Sequence, residues 1–89
     1  MITEKLQNAI NEQITAEMWS SNLYLAMSFF MDKEGYCGMA SWLKKQAHEE
    51  HEHACELASY IIKRGGKAKL DKIDVVTNDF GTPLEVFEQ

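Results

Sequence analysis

The 89 residues are 45% hydrophobic and 26% charged, with a net charge of −5 and a pI of about 5.1. That balance fits one small globular domain or part of one, and it contains no basic stripe of the kind nucleic-acid binding needs. Cys37 and Cys55 are too few for a disulfide framework, and the longest apolar run, Leu23 to Met31, is far short of the ~20 residues that cross a membrane.

The opening stretch, MITEKLQNAINEQ, lacks the apolar core of a signal peptide. With the sparse cysteines this leads to the expectation of a reduced, cytoplasmic setting. Thr3 is placed to cap a first helix over about residues 3–31, with Glu4 in its first turn where the helix dipole favours negative charge. DKEGYCG interrupts the helical spacing, with Gly35 and Gly38 marking a short turn. A second helix is predicted over about 39–64; Lys63 and Arg64 fall in its last turn and Gly65-Gly66 stop it. The segment of about 65–81 has no helical stripe and reads as a long connection, extended near Val75 and Val76. Thr82, Pro83 and Glu85 then form the N-cap, first position and third position of a capping box. They open a third helix over 82–89, so the pattern reads as interrupted. The fold class expected is all-α: an antiparallel two-helix hairpin plus a long crossover.

At about 100° per residue, Ile10, Glu17, Tyr24 and Met31 share one face of the first helix. Leu6, Ile14, Ser21 and Ser28 lie beside them. Trp19, Leu23, Ala26 and Phe30 form a stripe on nearly the opposite side, so the second half of this helix is apolar almost all round and needs cover on two sides. On the second helix, Leu43, Glu50 and Leu57 make one ridge, and Met39, Gln46, His53 and Tyr60 the next. Short connections pack helices antiparallel, which brings Glu17 opposite Glu50 and His53. His48 and Glu52 point away, and Glu49 and His51 lie on the flanks.

Taken singly, each of these residues is ordinary: a boundary glutamate pairs with a lysine, and a core histidine finds a backbone partner. Together they put two carboxylates and an imidazole in an apolar layer, where an unpaired ion costs several kcal/mol. A divalent or trivalent metal is a partner that accounts for all three. Carboxylates with one imidazole suit iron or manganese better than a closed structural zinc site. A zinc-protease motif needs histidines at i and i+4; from His48 that position is Glu52, and from His51 it is Cys55. Tyr24, one heptad from Glu17, is placed either to approach such a metal or to pack in the core.

The stretches NEQITAEMWSSNLYLAMSFF, WLKKQAHEEHEHACELASYIIKRGG and TPLEVFEQ resemble the non-haem bacterial ferritins, and the likeness runs over all 89 residues. The resemblance implies the first half of a four-helix bundle whose second and third helices are joined by a long crossover. It implies Fe(II) as substrate, oxidised by dioxygen or peroxide at a di-iron centre inside each subunit. It also implies a homo-oligomeric shell of 24 subunits storing ferric mineral. By matching position, Glu17, Glu50 and His53 are the expected ligands of the first iron, with Glu50 bridging to the second. Glu49 is the expected ligand of an additional iron position, and Tyr24 the tyrosine beside the centre. His51 stands where haem-binding relatives have a methionine, so no haem is expected. The remaining ligands belong to helices this chain does not include. An alternative is a hairpin that dimerises into a four-helix metal-binding or structural module, two copies supplying four glutamates and two histidines.

Overall fold

The computed structural model describes residues 1–87; Glu88 and Gln89, the end of the predicted third helix, lie outside the described residues. Two long helices, α1 (Glu4–Lys33) and α2 (Cys37–Lys63), pack against each other, and a short α3 (Pro83–Phe87) follows. A helix of 30 residues is about 45 Å long, and the molecule measures 49 × 20 × 17 Å. The described residues contain no strand. Val75 is 92% exposed in a connection without regular structure, while Val76 and Phe80 turn inward.

The caps follow from the sequence. The Thr3 hydroxyl accepts the Leu6 N–H at 3.2 Å. Gly35 adopts the left-handed region at φ 88°, which permits two closing bonds: Tyr36 N–H to Met31 O at 2.9 Å and Gly35 N–H to Asp32 O at 3.1 Å. Gly65, at φ 78°, ends α2 in the same way. Gly38 departs from its expected role: it lies inside the first turn of α2, so Gly35 alone makes the reversal. At α3 the Thr82 hydroxyl accepts the Glu85 N–H at 3.3 Å.

The line of closest approach is narrower than heptad counting suggests. On α2 it runs through Ala40, Leu43, Ala47, Ala54 and Ile61, all buried. On α1 it includes Asn11, Ile14, Ser28 and Met31. Small residues bring the backbones together, and Ser21 Oγ donates across the seam to Ala47 O at 2.7 Å. Apolar residues gather at both ends of the hairpin. Ile14, Ala54 and Ile61 form one cluster; Met27, Met31, Leu43, Phe80 and Val86 belong to the other.

The connection begins at the end where α1 starts. Asn11 is 1% exposed and grips the chain there: its Nδ2 donates to Lys67 O and its Oδ1 accepts the Lys69 N–H, both at 3.0 Å. The connection then returns to the turn end, where Phe80 meets Phe30 with ring centroids 5.7 Å apart. This covers one side of the apolar half of α1. On another side, Leu23, Tyr24 and Met27 line an open groove shared with Met39 and Trp42 of α2, and Trp42 is 53% exposed.

Candidate metal centre

Glu17 from the middle of α1 meets Glu50 and His53 from the middle of α2. One donor atom from each lies within 4.8 Å of the other two. His53 Nδ1 stands 3.7 Å from Glu17 Oε2 and 3.9 Å from Glu50 Oε2. The i,i+3 spacing of Glu50 and His53 puts both on one helical face.

These positions lie at the lip of the seam, not inside an apolar layer. The Glu17 and Glu50 side chains are 17% and 22% exposed, and that of His53 is 54% exposed. The sequence expectation of full enclosure fails because two helices cover only their mutual contact line, and His53 lies beside that line.

Glu17 has two differently treated oxygens. Oε1 accepts from Gln13 Nε2 at 2.8 Å. Oε2 is buried and has no hydrogen-bond partner among the described residues. A proton taken up by Glu50 would bond across to Glu17. The hydrogen bond to Glu17 holds the Glu50 carboxyl above its ordinary range, with burial and the Glu17 charge acting in the same direction. The same bond lowers Glu17; Gln13 and His53 add to that lowering, and burial opposes it. A cation seated among the three donors would satisfy Oε2 and offset the repulsion between the two carboxylates. Two carboxylates and an imidazole are chemically suited to iron or manganese.

The other expected site residues stand apart from this group. Glu49 is exposed on α2, and its charge adds to the raising of Glu50. Tyr24 packs against the cluster at the turn end and lines an apolar groove of about 460 Å³ with Leu23, Met27, Met39, Leu43 and Val86. His48, His51 and Glu52 are exposed. The residue that sequence reading missed is Gln13. Its signal was present, since glutamine at i and glutamate at i+4 are neighbours on a helix surface.

Residues 7–89 match the ferritin-like domain family. The chain is 70% identical over 88 residues to the bacterial non-heme ferritin of Bacteroides fragilis, covering 99% of this chain and 55% of that protein. It is 38% identical over 88 residues to the bacterial non-heme ferritin of Staphylococcus epidermidis, covering 99% of this chain and 53% of the relative. An open pore ferritin from the hyperthermophilic archaeon Archaeoglobus fulgidus superposes with a TM-score of 0.92 at 36% identity, over 99% of this chain and 54% of that one. The chain thus spans about half the length of the relatives it matches. The helical hairpin, its crossover and the sequence over nearly all its length place the chain in the ferritin-like domain family.

Proposed function

We propose that this chain carries half of an iron-oxidising and iron-storing centre, with Fe(II) as the substrate and Glu17, Glu50 and His53 as its first ligands. The observation that carries this reading is the convergence of three donors around a buried carboxylate oxygen that has no other partner. The bacterial non-heme ferritins that share its sequence support the choice of iron.

The residues have separate tasks in this reading. Glu17 and Glu50 supply negative charge, which stabilises Fe(III) over Fe(II) and so favours loss of an electron. Two Fe(II) ions give up one electron each; one dioxygen takes both electrons with two protons and leaves as hydrogen peroxide. Glu50 is assigned the bridge between the two metal positions. His53 is a neutral donor that holds iron without adding charge. Its exposure provides the entry side, and open coordination positions admit the oxidant. Glu49, exposed beside Glu50, is assigned an outer iron position. Tyr24, one heptad after Glu17 on α1, is assigned a place beside the centre. A homo-oligomeric shell of like subunits is the setting proposed for mineral storage.

A second reading is favoured by the open groove and by the exposure of Trp42 and His53. In it, two copies of this chain pair through that face and complete one set of ligands. Light-scattering mass with and without Fe(II), with dioxygen uptake on the same sample, tests both. Uptake that follows added Fe(II) supports oxidation, and a metal-dependent dimer supports the second reading. A monomer that neither binds Fe(II) nor consumes dioxygen contradicts both.

A further inference from the structure

Metal ligands are held in place by the groups that bond their other atoms, and loss of such a partner typically lowers metal affinity about 10–100-fold. Among the described residues, Glu17 has one such partner. Gln13 lies one helical turn earlier on α1 and donates Nε2–H to Glu17 Oε1 at 2.8 Å. The consequence is geometric. With Oε1 occupied by an N–H, the carboxylate presents its other oxygen to the seam. That oxygen, Oε2, is the one 3.7 Å from His53 Nδ1, and it is buried without a hydrogen-bond partner of its own. Gln13 itself is exposed and belongs to neither apolar cluster, so the bond is not a by-product of core packing.

We infer that Gln13 is a positioning residue: it holds Glu17 Oε1 turned away, so that Glu17 meets a cation between Glu50 and His53 through Oε2 alone. This rests on the metal-binding reading of the three donors. An ammonium or guanidinium at position 13 would also fix the carboxylate, but it would withdraw charge from the ligand. The neutral carboxamide fixes the oxygen and leaves the charge for the metal. Gln13 is therefore matched to a cation-binding carboxylate rather than to a surface ion pair.

The test uses the full chain, Co(II) as the probe and the variant Gln13→Met, which keeps side-chain length and helix propensity but has no N–H to donate. In the metal-free chain, the Gln13 side-chain amide should give a ¹H–¹⁵N signal that moves when Glu17→Ala is introduced. An amide unmoved by that change means the contact is absent in solution, and the inference falls whatever the metal does. Given the contact, Gln13→Met is expected to weaken Co(II) binding about tenfold. It should also change the visible d–d spectrum of bound Co(II), as Glu17 becomes free to use both oxygens or to swing out. A merely structural role would leave that spectrum alone. Equal affinity and an unchanged spectrum in Gln13→Met overturn the inference while leaving the metal site standing. A parent chain that shows the amide contact but binds no Co(II) overturns the metal reading, and this inference with it.

Discussion

His53 Nδ1 faces Glu17 Oε2 across the seam at 3.7 Å, although the two residues come from different helices and His53 is more than half exposed. The pairing depends on helical phase. His48 and Glu52 lie on the same helix but are exposed and outside the three-donor group. His53→Ala is therefore expected to weaken Fe(II) or Co(II) binding by about 100-fold or more, and His48→Ala by less than about twofold. Calorimetric titration of both variants checks this. Equal losses would show that the histidines are not distinguished by their facing.

Protons and metal compete for the same carboxyl pair. Glu50 is raised by its bond to Glu17, so metal affinity should fall as pH drops through that raised range and Glu50 takes up a proton. In the metal-free chain the raised Glu50 has the opposite effect: it contributes stability that is present at low pH and lost as pH rises through its folded value. Glu17, lowered, contributes stability that is present above its unfolded value and lost as pH falls through its folded value. Glu50→Gln should accordingly melt higher than the parent at neutral pH without metal while binding metal more weakly. Circular-dichroism melting beside a metal titration reads both, and a variant that loses stability and keeps affinity contradicts the competition between proton and metal at Glu50.

Asn11 ties the connection to α1 through Lys67 O and Lys69 N. Asn11→Ala leaves both backbone groups without that partner. The expected loss is about 2–4 kcal/mol in urea unfolding, with faster hydrogen exchange at the Lys69 amide. Unchanged exchange at Lys69 would mean the connection is held by other contacts.

Three glycines should respond differently to alanine. At Gly35 a Cβ meets nothing within 4 Å, so the cost is that of the left-handed backbone at φ 88°, about 1–2 kcal/mol. At Gly66 a Cβ would lie 2.7 Å from Ile2 Cγ2 and 2.8 Å from Ile61 Cγ2, so Gly66→Ala is expected to cost more unless those side chains shift. At Gly38 a Cβ has open space in a helix, so Gly38→Ala should stabilise by up to about 1 kcal/mol. Chemical denaturation ranks the three, and destabilisation by Gly38→Ala would contradict its position inside α2.

Local chemistry made much of this fold legible. Thr3, Gly35, Gly65 and Thr82 act within a few residues of themselves, so their caps can be read from the neighbouring sequence. The meeting of Glu17, Glu50 and His53 followed from helical phase and an antiparallel hairpin. What escaped depends on distance in sequence or on exact rotation. Asn11 bonds a backbone more than fifty residues away, and nothing near it announces that grip. The alanine ridge of α2 escaped because heptad counting favours large residues, whereas small ones mark the closest approach. His53 was expected inside because its ridge was read as the seam, when that ridge runs along the open lip.

Anaerobic calorimetric titration of Fe(II) into the parent chain and into Glu50→Ala tests the central claim most directly. Glu50 has a donor oxygen within 4.8 Å of those of Glu17 and His53, and it is assigned the bridge between the two metal positions. The account predicts saturable binding in the parent and a loss of at least about 100-fold in the variant, with the helical signal retained. Equal Fe(II) affinity in the two proteins would contradict it.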